Sequence, residues 1–348
     1  MATGERTLTE RELNRAILAR QLLLERVRMP IPRAVERVGG LQTQYPPTAY
    51  IGLWSRLEGF ERADLTRALE RRSVVQGTLM RATIHIVSAR DYSPLAAGLR
   101  TARREAWVQA TRRRDLVRSV QSAAERAHAL LADGPRERAE LTEALGVDTT
   151  TWNGVQLWTD LLRVPPSGTW DRRRADRFAS AETWLGPSEA SEGEGIELLV
   201  RRYLGGFGPA SRKDIASFTG LSPTVLASAL ERIATRRFRD EAGGELLDVP
   251  RAPLPDPDTS APPRFLGPWE ALLLVHARRT QVLPERFRPF VFNTKTPQSV
   301  SAFLVDGKVA GTWAFERGDV RVEPFEPLPR AARRQLDHEA ERFSGFLG

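Results

Sequence analysis

Cysteine is absent from the 348 residues, which removes disulfides, thiolate nucleophiles, zinc fingers and iron–sulfur clusters in one step. Lysine is nearly absent. Lys213, Lys295 and Lys308 are the only three among 52 basic residues, so the positive charge is carried by guanidinium groups, whose planar forks fit phosphate. The four histidines, His85, His128, His276 and His338, are scattered with no H-x-x-x-H or H-x-E pairing, and no metal site is expected from them. There is no G-x-x-x-x-G-K-[ST], no glycine fingerprint after a strand and no G-x-S-x-G. Nucleotide hydrolysis, dinucleotide binding and serine-triad chemistry therefore lack support, and no cofactor is expected. No apolar run approaches the roughly 18 residues of a membrane span, and the opening MATGERTLTEREL is polar and charged. Neither a spanning helix nor a signal peptide is expected, and the expected location is cytoplasmic.

What is present is a globular composition, 41% hydrophobic, on a chain long enough for two or three units with cores of their own. The charge is uneven. Residues 1–130 hold 23 arginines against 13 acidic residues, an excess of ten, whereas the whole chain is at +8. The amino-terminal third thus carries the field, and a pI near 10.5 favours a polyanionic partner. Basic composition of this kind also arises from arginine-rich codon usage.

Along the chain, "TLTERELNRAILARQLLLERV" has a capping box at Thr9 and Glu12 and apolar residues at helical spacing, and Pro30 stops it. A short helix then runs to Gly39-Gly40, two more helices flank Glu58-Gly59, and the runs "SVVQGTLM" and "TIHIVSA" read as a two-stranded ribbon. Helices followed by a ribbon is the element order of a winged helix. The pattern is clearest in "GPASRKDIASFTGLSPTVLASALERI". There Ser211 and Asp214 cap one helix, Thr219-Gly220-Leu221 turns the chain, and Ser222-Pro223 starts the next. This is a helix-turn-helix. The hairpin "RRFRDEAGGELLDV" supplies its wing. "RERAELTEALG", "DTTTWNGVQLWTDLLR" and the Arg-rich "VPPSGTWDRRRADRF" repeat the scheme in the middle of the chain.

The expected division is a first winged-helix unit over 1–105, a second over 106–192 and a third over 193–250. A proline-rich connector over 251–263 and a small β unit with a closing helix over 264–348 follow. The expected class is mainly α with small β.

Gln42 and Gln44 in "GGLQTQYPP" need a separate explanation. In an extended segment both point one way while Leu41 and Thr43 point the other, so two amides converge. An amide is no general base, but it donates and accepts at once and can hold a water molecule or a base edge. Two loop amides bonded to local backbone would read the same way. On "MRATIHIVS", period-2 alternation puts Arg81, Thr83 and His85 on one strand face, which is either a solvated wing or a polar wall of a site.

Together Gln42-Thr43-Gln44, "LMRATIHIVSARDY", "YLGGFGPASRKDIASFTGL", "FLGPWEALLLVHARR" and "LVDGKVAGTWAFE" resemble a winged-helix DNA-binding-domain family. That family contains the bacterial alkylpurine and interstrand-crosslink DNA glycosylases, and the resemblance runs in order over essentially the whole chain, in the Gln-x-Gln branch. It implies three tandem winged helices in a C-shaped arrangement around duplex DNA, with Gln42 and Gln44 catalytic. It also implies a hydrolase acting on N7-alkylated purines, simple, bulky or crosslinked; because strand cleavage needs a Schiff-base amine and none of the three lysines lies near the glutamines in sequence, the expected enzyme is monofunctional. Thr43 stands where the family has an apolar residue, and Glu270 and Arg279 stand where it has aspartate and arginine. Arg81, Thr83 and His85 near the pair, and Arg172, Arg173, Arg174 and Arg317 on predicted turns, are candidate DNA contacts or solvated surface groups. A monomer acting on double-stranded DNA is expected. The alternative is a winged-helix transcription regulator without catalysis, although no dimerisation heptads are present.

Overall fold

The computed structural model describes residues 5–274, 280–292 and 299–348, and His276, Arg279 and Lys295 lie outside them. Among the described residues it contains 14 α-helices and 13 mostly short strands, a mainly α protein with small β-sheets. The first unit comprises β1 (Thr7–Leu8), α1 (Glu10–Arg20), α2 (Ile31–Val38), β2 (Leu41–Gln42), α3 (Pro47–Arg56), α4 (Arg62–Glu70), β3 (Val74–Thr78) and β4 (Ile84–Ser88). Then comes the 23-residue α5 (Ala89–Thr111), and the division expected at 105/106 falls inside it. The second unit is α6 (Val117–Leu130), β5 (Arg136–Glu137), α7 (Arg138–Leu145), α8 (Thr149–Trp158), β6 (Leu161–Arg163), β7 (Arg177–Ser180) and α9 (Ala181–Leu185). The third is α10 (Glu192–Phe207), α11 (Arg212–Thr219), α12 (Pro223–Glu231), β8 (Arg236–Asp240) and β9 (Glu245–Asp248). β10 (Arg264–Leu266), α13 (Arg288–Val291), β11 (Ala302–Val305), β12 (Lys308–Glu316), β13 (Asp319–Pro324) and α14 (Arg330–Leu347) complete the chain.

The three units share one topology. Each runs helix, short strand, two helices and hairpin, and the short strand pairs with the return strand of the hairpin. The pairings are β2 with β4, β5 with β7, and Ala210 bridged to Leu247 of β9. That order is a winged helix, three times over. The caps are the sequence-encoded ones: Ser211 and Asp214 form a capping box on α11, Ser222 caps α12, and Gly220 ends α11 with φ +78°.

Two features tie the units together. The wings of units one and two are not separate hairpins: β3 pairs with β6, giving one six-stranded sheet in the order β2-β4-β3-β6-β7-β5. Helices α5 and α10 cross at Gly98 and Gly195, where a Cβ on Gly98 would sit 2.5 Å from the Gly195 carbonyl carbon and the Ile196 nitrogen. This backbone-to-backbone approach is what glycine allows, and it brings unit three against the first wing. Arg20 of α1 adds a fully buried two-pronged pair with Asp248 of β9, at 2.6 and 2.9 Å. The proline-rich connector lies along α1, held by Arg11 on the Pro257 carbonyl (2.9 Å) and Arg15 on the Thr259 carbonyl (2.7 Å). α14 packs on the carboxy-terminal sheet through Phe343, whose ring stacks on Phe265 at 4.8 Å and on Trp54 at 4.6 Å.

Because only backbone faces Gly98, nothing flexible can give way to a methyl group. Gly98→Ala is expected to destabilise the fold by about 1–3 kcal/mol, the usual cost of overpacking, read as a lowered urea midpoint. An unchanged midpoint would show that α5 and α10 part without cost.

Candidate active site

The glutamine pair lies where α2 turns into the sheet of unit one. α2 ends at Gly39 (φ +80°) and Gly40 (φ +87°), two consecutive left-handed residues that glycine adopts without a Cβ penalty. β2 then runs antiparallel to β4, with Leu41 opposite Ile86 and Gln42 opposite His85, and Thr43 N–H donates to the Ile84 carbonyl at 2.8 Å. Leu41 lies in the core under α2 and α3, and Pro46-Pro47 ends the extended stretch by starting α3. The strand expected over residues 41–45 is confined to Leu41–Gln42, with residues 44 and 45 in a bend; its pairing puts Gln42 and His85 on one face.

The two amides do not share one environment. Gln42 is 4% exposed, facing the third unit, and its Oε1 accepts a hydrogen bond from Arg81 Nη2 at 2.9 Å. Gln44 is exposed, and its Oε1 accepts the backbone N–H of Ile84 at 2.7 Å, extending the strand ladder by one step with a side chain. Both bonds come from obligatory donors, which fixes the oxygen and nitrogen of each amide. Among the described residues neither Nε2 has a protein partner. Each glutamine is thus gripped by its carbonyl and offers its N–H₂.

Arg81 does not extend β4 as the alternation suggested. It sits in a tight turn, Met80–Ala82, with φ 53° and ψ 28°, and Ala82 follows at φ 57°. The break reverses its direction, so its side chain enters the seam with unit three. There Nη1 donates to the Phe218 carbonyl and the guanidinium lies 5.1 Å over the Phe218 ring. Burial pulls its pKa down to about 10, so it stays charged at neutral pH. Thr83 is spent inside the same turn, its hydroxyl donating to the Met80 carbonyl at 2.9 Å.

His85 is 1% exposed, so the solvated-wing reading of this residue does not hold. Its Nδ1 lies 3.0 Å from the Thr83 carbonyl, which can only accept, so the proton is on Nδ1 and Nε2 carries the lone pair. Among the described residues that Nε2 has no partner, and neither does the hydroxyl of Thr43. Burial, together with the Arg81 charge, lowers the His85 pKa to about 3, and the ring is neutral.

The second wing comes to the same edge. Tyr45, exposed beside Gln44, accepts from Arg173 Nη1 at 2.7 Å, and the guanidinium lies 5.6 Å from the Tyr45 ring centre. The neighbours of Arg173 are neutralised: Arg172 pairs with Glu137 at 3.1 Å and Arg174 with Asp176 at 2.8 Å. Arg173 has no carboxylate partner among the described residues. Arg317 is exposed at the β12–β13 turn with φ 54°. Glu270 is buried in an ion pair with Arg56 at 3.0 Å and holds the scaffold. Among the described residues no three His, Asp or Glu side chains are grouped to hold a metal ion. Tyr45 and the Phe218 carbonyl were missed in the sequence. An aromatic next to Gln44 was a usable signal, whereas nothing local marks Phe218.

Three winged helices, an arginine-rich first third and a pair of gripped amides at a wing edge define a protein that works on DNA. A family model described as "DNA glycosylase AlkZ-like" matches residues 35–346, and the chain belongs to that family of DNA glycosylases. Among solved structures it is similar to Streptomyces sahachiroi DNA glycosylase AlkZ, at 19% identity and a TM-score of 0.82 over 97% of each chain, a likeness of fold. No curated protein matches the sequence.

His85 has a pH consequence. Its pKa falls from an ordinary 6.5 to about 3, so between those values the unfolded chain binds the extra proton and stability is lost as pH falls. Lowering the pH from 7.5 to 5.0 is expected to cost the wild type about 2 kcal/mol more than it costs His85→Leu in urea titrations. Equal losses in both proteins would show that His85 titrates normally.

Proposed function

We propose that this DNA glycosylase hydrolyses the N-glycosidic bond of N7-alkylated purines in duplex DNA, with Gln42 and Gln44 as the catalytic pair. The observation that carries the reading is that both amides are held by their carbonyl oxygens, which leaves two N–H donors at the edge of a basic wing surface. An N7-alkylated purine is already cationic. As the bond from C1′ to the base nitrogen breaks, its electron pair stays with the base, which leaves neutral, and the sugar becomes oxocarbenium-like. Water oxygen then bonds to C1′ and loses its proton to solvent. Such a reaction needs no strong acid or base. It needs water placed against the sugar, and an amide N–H that binds one lone pair of the water leaves the other to attack.

The remaining features fit this role. Arg173 has no carboxylate partner among the described residues and stands next to Gln44, where a phosphate contact would hold the strand in register. Gln44 is at the surface, so a lesion need not swing fully into a closed pocket. Crosslinked purines, tied to both strands, are therefore within the proposed substrate class. Strand cleavage would require a Schiff-base amine. Lys213 lies in the first turn of α11 and Lys308 is paired with Glu10 at 2.7 Å, so the proposed product is an abasic site with the strand intact. Among the described residues no helix is long and apolar enough to cross a membrane, and we place the enzyme in the cytoplasm as a monomer. Nothing in the comparisons supports a transcription regulator.

The test is a duplex carrying N7-methylguanine, treated with enzyme and then hot alkali. The wild type should give breaks at the lesion only after alkali. Gln42→Ala and Gln44→Ala should each slow excision about 100-fold or more, the scale of losing a positioned donor, with duplex affinity kept within about twofold. Excision undiminished in both variants would remove the pair from the chemistry.

A further inference from the structure

We propose that Arg81 is a positioning residue: it joins the helix-turn of the third unit to the Gln42 amide and turns that amide so that its N–H₂ faces the substrate. The inference rests on Gln42 being catalytic and goes beyond that reading by assigning what orients it.

Arg81 spans two units with one side chain. Nη1 donates to the carbonyl of Phe218, near the carboxy-terminal end of α11, and Nη2 donates to Gln42 Oε1 at 2.9 Å. No carboxylate lies within ion-pair distance of it among the described residues, so something else must offset the loss of water around a cation. The surroundings supply three substitutes: a carbonyl at the negative end of a helix, an amide oxygen and the face of the Phe218 ring at 5.1 Å. Arg20 and Arg56 are buried against acids, Asp248 and Glu270, whereas the partners of Arg81 come from two different units. Arg81 also holds a left-handed backbone, as does Ala82 after it, a conformation that persists only where the surroundings impose it. The turn is shaped to send this side chain into the seam.

Two consequences follow for Gln42. With Oε1 fixed, the planar amide has one orientation, and its Nε2 has one direction to point. A guanidinium on the carbonyl oxygen also draws electron density from the amide and strengthens its N–H as a donor. The other end of the link is the last turn of α11, and the turn leading to α12, the second helix of the unit-three helix-turn-helix, runs close beside it: a Cβ on Gly220 would lie 3.8 Å from the Arg81 backbone nitrogen. The position of that helix is therefore transmitted to the amide through one guanidinium.

The fold contains an internal control. Arg163 of β6 also lacks a carboxylate partner among the described residues, its pKa also falls to about 10 through burial, and it also grips a glutamine, donating to Gln156 Oε1 at 2.7 Å and to Thr78 Oγ1 at 3.0 Å. It does not touch Gln42, so it shares the structural burden of a buried arginine without the proposed link.

The experiment is a double-mutant cycle in single-turnover excision of N7-methylguanine from duplex, with duplex affinity measured alongside. Arg81→Met is expected to slow excision at saturating enzyme tenfold or more with affinity within twofold, and Arg81→Met combined with Gln42→Ala should be no slower than Gln42→Ala alone. Arg163→Met combined with Gln42→Ala should instead multiply whatever the two single changes do. Arg81→Lys, which keeps the charge but cannot span both partners, enters the same cycle if the methionine variant fails to fold. Multiplying effects for Arg81 and Gln42, or a loss of affinity with an unchanged saturated rate, would overturn the inference and make Arg81 a scaffold residue or a DNA contact. A Gln42→Ala enzyme as fast as the wild type would instead sink the catalytic reading itself.

Discussion

One guanidinium holds the site in its present form. Arg81 is a cation between two domains, with no acid partner among the described residues, stabilised by a helix-end carbonyl, an amide oxygen and an aromatic face. Because its partners come from the third unit and from the Gln-x-Gln segment, the geometry of the amide pair belongs to the assembled array and not to the first winged helix alone. Removed from unit three, β2 and β4 would still pair, but Arg81 would lose the Phe218 carbonyl and ring that hold its guanidinium beside Gln42. The burial that would ordinarily argue against Gln42 as a working residue is, on this account, what directs its amide.

The architecture around that contact serves to keep two seams closed. The α5–α10 crossing at Gly98 and Gly195 fixes unit three against the first wing. The β3–β6 pairing fuses the first two wings into one sheet and carries the arginine-rich loop 164–176 to Tyr45. The pairing also removes two exposed strand edges, which would otherwise offer unpaired backbone groups to other chains. The site edge thus collects side chains from three units: the glutamines and Arg81 from the first, Arg173 from the second and the Phe218 backbone and ring from the third.

Much of this was legible in the sequence, and what was not has a common cause. Caps and turns are local, so Thr9 with Glu12, Ser211 with Asp214, Ser222-Pro223 and the Gly243-Gly244 hairpin could be read directly, and three units followed from their recurrence. The turn expected at Arg317 forms, with Arg317 and Gly318 both at positive φ. The pairing of β3 with β6 is a contact between residues more than eighty positions apart, and short Val- and Leu-rich strands do not encode which edge they meet. Period-2 alternation failed at Arg81 because two non-glycine residues adopt left-handed backbone there, which no local residue type announces. Alternation suggested Gln42 and Gln44 on one face, but the strand ends at Gln42 and Gln44 falls in a bend, so one is buried and the other exposed, which depends on how close unit three comes. The three consecutive arginines 172–174 looked alike, and only the carboxylates of Glu137 and Asp176 separate two neutralised groups from the one held by Tyr45.

The central claim is that Gln42 works as a donor because Arg81 has taken its oxygen. Gln42→Glu addresses it directly, since the carboxylate keeps the shape and strengthens the bond to Arg81 while replacing the outward N–H₂ with an acceptor oxygen. The account predicts a variant at least as resistant to urea as the wild type and as slow as Gln42→Ala in single-turnover excision of N7-methylguanine at neutral pH. A Gln42→Glu enzyme that excises as fast as the wild type would contradict it.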